Sequence, residues 1–402
     1  MKRISLLFAF SICLIICSCT KDSTNQAIQT IKIGGLFSLT GNWSTLGKPS
    51  QEAMNLALID INHYMETKGS LIRFSTVVYD TKLDTAIAKS SIERAFTENN
   101  IKYFIGPQSS AEVGAIRTYA NSNNILVVSQ GSTASSLAIP NDAIFRFCPG
   151  DVVEGRAISQ TIYSSGRHVV ITMSRDDAGN RGLQQSVGSA ISLLGGQVEA
   201  LTPYATNSND YSAILAQLKI KILQYTSTVG SNGIGVYLAS FDECKDLFIA
   251  ASQDPVFSTV NWYGGDGVVL SDVLTANTTA AAFAASTNFF APNFGLPLQP
   301  NPSLANVVNT IRTNTGIDPD AYALSVYDAM WVIAKTVSSY TSAQTDFSVL
   351  KSAFTNEADQ YYGITGPVVL NSNGDREVGS FDYWGIVNNG GVYQWKLVGK
   401  SL

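Results

Sequence analysis

Residues 31–47 read IKIGGLFSLTGNWSTLG and run, after Lys48, Pro49 and Ser50, into QEAMNLALIDIN at 51–62. The first seven residues gather β-favouring apolar side chains ahead of a loop rich in glycine, asparagine and hydroxyls. In the second stretch Met54, Leu58 and Ile61 recur at i, i+4 and i+7, the spacing of one helix face. Strand, loop and helix in that order predict a β-α unit, and the same alternation continues along the chain. STVVYD reads as a second strand, and Asp84 or Thr85 can cap a helix running toward Asn99. KYFIG, SSAEVGAIRTYANS and ILVVS follow as strand, helix and strand. The first unit is therefore expected as βαβαβαβ, a parallel sheet covered by helices.

After FRFCPGD the pattern restarts, with a helix near 153–163. HVVITM, QVEALTP, GIGVYLA and VNWYG read as strands, and GLQQSVGSAISLLGG, YSAILAQLKIKILQY and ECKDLFIAASQ as the helices between them. STNFFAPNF is an irregular apolar stretch in this reading. It precedes two helical segments, SLANVVNTIRTNTG and AYALSVYDAMWVIAKTV, and a strand-like tail with turns at Asn373-Gly374 and Asn389-Gly390-Gly391. The 402 residues suit two domains, and 45% hydrophobic against 14% charged residues with a formal net charge of -5 favour neither disorder nor a nucleic-acid footprint.

The order of the motifs resembles one family. IKIGGLFSLTGNWSTLG with its helix, then KYFIGPQSS, ILVVSQGSTAS, RDDAGNRG, WYGGDG, YDAMWVIAK and GPVVLNSNGDR, is similar to the type I periplasmic binding proteins of the branched-chain amino acid (leucine-binding protein-like) group over nearly the whole chain. The resemblance implies an α/β fold of two Rossmann-like lobes with parallel sheets, joined by three hinge crossovers near Cys148, near Phe290 and between Leu370 and Tyr383. Lobe 1 would comprise 31–148 plus 290–375, and lobe 2 would comprise 149–289 plus 376–402. A small, amino acid-like ligand would be captured between them and delivered to an ABC permease. The chain would act as a monomer, without cofactor, metal or enzymatic step.

Physical reasoning places such a ligand at loops after strand ends. Ser109 and Ser110 follow KYFIG at a helix start, where free amides favour an anion, although Ser110 there is also a natural helix cap. Matched to the family, Gly131, Ser132 and Thr133 would give backbone and hydroxyl contacts to the ligand's carboxylate and ammonium groups. Asp266 would pair with the ammonium, or else is a turn aspartate between glycines. Phe241 would cover the ligand and Trp43 and Leu46 would line its side-chain pocket, with core packing as the alternative for each. Where relatives carry a D-D-x-Tyr-Gly arrangement, this chain has Asp176, Asp177, Ala178, Gly179 and Asn180, so an aromatic lid is missing and ligand identity is open.

The N-terminus, MKRISLLFAFSICLIICSC, has two basic residues, an apolar run over 4–16 and small residues before Cys19. That is a signal-peptide pattern, and residues 16–19 resemble the bacterial lipobox. Residues 1–18 would be removed, Cys19 lipidated, and 19–30 left as a polar tether holding the protein in the periplasm or at the cell surface. An ordinary secretory signal is the alternative. Cys148 and Cys244 are then the cysteines of the folded part, either a disulfide or two buried thiols.

An enzyme is disfavoured by the lack of a G-x-S-x-G elbow, a phosphate-binding G-x-x-x-x-G-K-[ST] loop or an H-E-x-x-H pair, and by only two histidines, His63 and His168. A ligand-sensing lipoprotein that signals to a receptor partner, or a binder of a small amide or acid, remains the other reading of the same architecture.

Overall fold

The computed structural model describes residues 27–339, 346–377 and 380–401; the leader, Cys19 and most of the tether lie outside the described residues. The first sheet holds β1 (Gln29–Phe37), β2 (Ile72–Asp80), β3 (Tyr103–Ile105), β4 (Leu126–Ser129) and β5 (Ile144–Arg146). Between them run α1 (Ser44–Thr67), α2 (Thr85–Asn99) and α3 (Ser110–Ser122). Its order is β2-β1-β3-β4-β5, with every pair parallel. The fifth strand, in the sequence IFR, goes beyond the four expected. Asp84 caps α2, its carboxylate accepting from the amides of Ala86 and Ile87.

The second sheet is built from β6 (Val169–Ser174), β7 (Gln197–Ala200), β8 (Ile234–Ala239) and β9 (Asn261–Gly264), with α4 (Asp151–Ser164), α5 (Ala178–Leu193), α6 (Ser212–Val229) and α7 (Cys244–Ala251) around them. The short helices α8 (Asp272–Ala276) and α9 (Thr278–Ser286) follow. Every residue of β6 and β8 is buried, as expected of central parallel strands covered on both faces.

Three features depart from the sequence expectations. FAPNF is not irregular but forms β10 (Phe290–Phe294), which pairs with β9 and, antiparallel, with β13 (Phe381–Asn389). Pro292, which cannot donate to a ladder, lies within β10. Because β10 lies in the second sheet, the crossing expected near Phe290 falls just after Phe294. Arg376 remains with the first lobe, its amide bonded to the Arg146 carbonyl, so the third crossing follows it. The returning segment contributes α10 (Leu304–Thr315), α11 (Ala321–Ser339) and α12 (Phe347–Gln360), then the two-residue strands β11 (Tyr362–Gly363) and β12 (Gly366–Pro367). Helix α12 was not expected, although Leu350, Phe354 and Ala358 bury one face of it. The closing hairpin β13–β14 (Val392–Lys400) turns at Gly390 and Gly391, both at positive φ. The second sheet is therefore mixed, in the order β14-β13-β10-β9-β8-β6-β7.

Helix α11 is apolar on nearly every side and lies buried against α1, as a core helix should. Each lobe has its own apolar core, around Phe37, Met54, Ile61 and Phe354 in the first and Phe248, Trp262 and Phe283 in the second. A further cluster combines Trp43, Leu46 and Tyr322 of the first lobe with Tyr237, Phe241 and Tyr263 of the second. Cys148 and Cys244 are both free and buried. No helix among the described residues is long and apolar enough to cross a membrane.

Candidate ligand-binding cleft

The loops that leave β1, β3 and β4 converge on one wall. Trp43 sits at the start of α1 in the left-handed region, φ 57°, and its carbonyl accepts from the Gln108 side-chain amide at 2.9 Å. Gln108 Oε1 in turn accepts from the Ser38 amide at 3.1 Å, so one buried glutamine ties the β1 loop to the β3 loop. Gly131 is packed where they meet: a Cβ there would lie 3.0 Å from the Gln108 carbonyl, 3.1 Å from the Trp43 ring and 3.2 Å from Leu46.

The two serines of the β3 loop divide their work. Ser109 is the N-cap of α3 and forms a capping box with Glu112, its hydroxyl donating to Glu112 Oε2 at 2.5 Å and accepting from the Glu112 amide at 3.3 Å. Burial pushes the Glu112 carboxyl up to about 7. Ser110 instead points toward the β4 loop, accepting from the Ala134 amide at 3.1 Å and the Ser132 hydroxyl at 3.2 Å, with Gly179 of the second lobe packed beside it. Arg146 holds this loop from behind. It donates to the Ser132 and Ala134 carbonyls at 3.0 and 2.7 Å and is itself paired with Asp375 through two bonds of 2.5 and 2.6 Å.

The opposite wall belongs to the second lobe and is acidic. Asp266, after β9, accepts from the Tyr322 hydroxyl of α11 at 2.6 Å, a bond that joins the lobes. Its amide donates to Glu154 Oε1 at 3.2 Å. Burial pushes Asp266 up to about 6, opposed by the Tyr322 hydroxyl, and raises Glu154 further, with the Asp266 and Asp151 charges adding. Asp151, one turn before Glu154, is pushed up to about 7 by burial and by Asp266, against Thr133 and Arg146. Its amide donates to the Thr133 carbonyl of the first lobe at 2.8 Å.

At the mouth the lobes are in contact. The Trp43 and Phe241 rings stack, Asn42 Nδ2 donates to Glu243 at 2.7 Å, and the Thr45 hydroxyl donates to Asp242 at 2.8 Å. Arg175 lies 5.6 Å above the Phe241 ring. Among the described residues no group of three or more His, Cys, Asp or Glu is arranged to hold a metal ion. The cleft offers hydroxyls and amides on one side and carboxylates on the other. Such unlike walls are complementary to a small molecule of mixed charge.

The periplasmic binding protein model matches residues 30–381, both lobes except the closing β13–β14 hairpin. The chain belongs to the periplasmic binding protein family. It has the type I fold of that family, whose members are substrate-binding proteins and not enzymes. A leucine binding protein from Thermotoga maritima superposes with a TM-score of 0.73 at 20% identity, over 91% of this chain and 97% of its own. A branched-chain amino acid transporter substrate binding protein from Streptococcus pneumoniae, solved with isoleucine, gives 0.73 at 18% identity over 93% and 99%. An ABC transporter solute binding protein from R. palustris, solved with benzoate, gives 0.72 at 16% identity over 91% and 95%. In sequence the chain is 28% identical to an uncharacterized protein of Methanocaldococcus jannaschii, over 95% of this chain and 93% of that one.

Of the residues singled out in the sequence of this periplasmic binding protein, Trp43, Leu46, Ser110, Gly131, Ser132, Thr133, Phe241 and Asp266 are all buried at the junction of the two lobes. Ser109 is buried there too, with its hydroxyl turned into the helix cap. Sequence reasoning missed Gln108, Asp151, Glu154 and Tyr322. Asp151 and Glu154 carry a readable signal only in hindsight, since acids in a first helical turn ordinarily answer the helix dipole. Tyr322 stands in an apolar helix whose pattern says core and nothing more.

Proposed function

We propose that this binding protein captures an amino acid-like small molecule between its lobes and passes it to an ABC uptake transporter, acting as a monomer held at the periplasm or cell surface by lipid on Cys19. The observation that carries this reading is the pairing of unlike walls: the Ser110 hydroxyl with the Gly131–Thr133 loop on one side, and the Asp266 carboxylate on the other. A carboxylate is suited to the first wall and an ammonium to the second, where a charge-assisted hydrogen bond contributes on the order of 1.5–3 kcal/mol. Trp43, Leu46 and Phe241 supply the apolar surface between them, and the contacts across the mouth would form as the lobes close on ligand.

The leucine- and isoleucine-type neighbours support an amino acid. A plain acid, such as the benzoate of the R. palustris neighbour, would leave Asp266 without a cation. Calorimetry of the mature chain against the free amino acids tests the reading. At least one should bind, and Ser110→Ala and Asp266→Ala should each weaken it by about tenfold, near 1.4 kcal/mol. Unchanged affinity in Asp266→Ala would remove that residue from the site. For the anchor, Cys19→Ala should move the protein from the membrane fraction to the soluble one.

A further inference from the structure

The acidic wall holds more than one ammonium can satisfy. Asp151 and Glu154 lie three residues apart on the first turn of α4 and so share a face. Glu154 Oε1 is bonded to the Asp266 amide, which brings both acids to Asp266. Glu154 Oε2 has no hydrogen-bond partner. Neither oxygen of Asp151 makes a hydrogen bond by distance and angle, although the Thr133 hydroxyl and the Ser135 amide lie near enough to act on its carboxyl. A fourth unbonded acceptor comes from a different element: Tyr237, on β8, is fully buried, and its hydroxyl has no partner, lies beside Gly265 and is close enough to feel the charges of the same three acids.

Charge leads to the same place. Among the described ion pairs none includes Asp151, Glu154 or Asp266, and the nearby Arg146 is committed to Asp375 by its bidentate pair. Buried carboxylates without a counter-cation are costly, and burial raises the affinity of all three for protons. A ligand that displaces those protons must bring both charge and donors. An alkylammonium has three N–H groups, whereas a guanidinium has five in a flat fork suited to carboxylates.

We propose that the cationic end of the ligand is a planar, delocalised cation of the guanidinium or amidinium type, received jointly by Asp151, Glu154, Asp266 and the Tyr237 hydroxyl. This rests on the cleft being the ligand site, as argued above, and narrows the ligand class from amino acids in general to strongly basic ones.

Titration calorimetry of the mature chain with L-arginine, agmatine and L-isoleucine tests it. Arginine or agmatine should bind at least about tenfold tighter than isoleucine, and their binding at pH 6 should release protons, seen as a dependence of the heat on the buffer's ionisation enthalpy. Glu154→Gln, which keeps the shape, should weaken the guanidinium probe about tenfold or more and reduce the proton release. Asp151→Asn provides the same test should the first variant fold poorly. Agmatine binding without arginine binding would uphold this inference and count against the amino acid reading. Isoleucine binding tightest, with no proton release, would overturn this inference and leave the amino acid reading standing. No binding by any of the three would overturn this inference, while the amino acid reading would still be judged on the full amino acid panel.

Discussion

The rings of Trp43 and Phe241, one from each lobe, stack with centroids 4.2 Å apart and 25° between their planes. Such a pair contributes about 0.5–1.5 kcal/mol beyond the area it buries, and it exists only while the lobes are together. Phe241→Ala should therefore favour the open form. A larger radius of gyration by small-angle X-ray scattering is expected, with ligand affinity lower by about tenfold. A scattering profile identical to wild type would show that the stack does not hold the lobes.

Arg146 and Asp375 form an ion pair that is almost entirely buried, with side-chain exposures of 1% and 6%. Asp375→Ala strands the guanidinium and should cost about 3–5 kcal/mol in chemical denaturation. Because Arg146 also fixes the Ser132 and Ala134 carbonyls, replacing both partners by apolar residues should recover stability while leaving the β4 loop less ordered. A single-mutant loss below 1 kcal/mol would contradict this account.

Ser109 and Ser110 are adjacent yet should respond differently. Ser109→Ala removes a helix cap, worth about 1 kcal/mol, and leaves the buried Glu112 with fewer donors, so it should lower the melting temperature. Ser110→Ala removes a hydroxyl from the cleft wall and should show mainly in ligand affinity. Equal effects of the two on binding would argue that both hydroxyls serve the ligand.

The pH dependence of the free protein follows from its buried acids. Burial raises Glu112, Asp151 and Asp320 to about 7 and Asp242 and Asp266 to about 6, all above their unfolded values near 4. Between pH 4 and 7 the folded state then binds more protons than the unfolded state, so stability falls as pH rises through that window and levels off above it. A thermal melt without ligand should be higher at pH 5.5 than at pH 8. A rise in melting temperature toward alkaline pH would refute the assignment.

The fold was legible wherever hydrophobic spacing and punctuation agreed. The β1–α1 unit, the Asp84 cap and the terminal hairpin at Gly390 and Gly391 could all be read from single residues. It was less legible at β10, where an apolar stretch that read as irregular forms a strand although its Pro292 cannot donate to a ladder. The cleft divided in the same way. Strand-end loops pointed to Ser110, and the resemblance to the family pointed to Gly131 to Thr133, Phe241 and Asp266, all of which lie buried where the lobes meet. Residues brought in by tertiary packing, such as Gln108 from beneath the loops and Tyr322 from a core helix, carried no local mark.

The tight seat of Gly131, hemmed in by Gln108, Trp43 and Leu46, makes this part of the first lobe sensitive to change: one added methyl would press on the Gln108 carbonyl and on the tips of two side chains, each of which would have to give by a few tenths of an ångström. Divergence in what such a molecule selects must then fall on the facing half, where side chains can be exchanged without recasting the backbone. A duplicate of this gene acquiring a new preference would be expected to change first around residues 151–154 and 241, long before it altered the β4 loop.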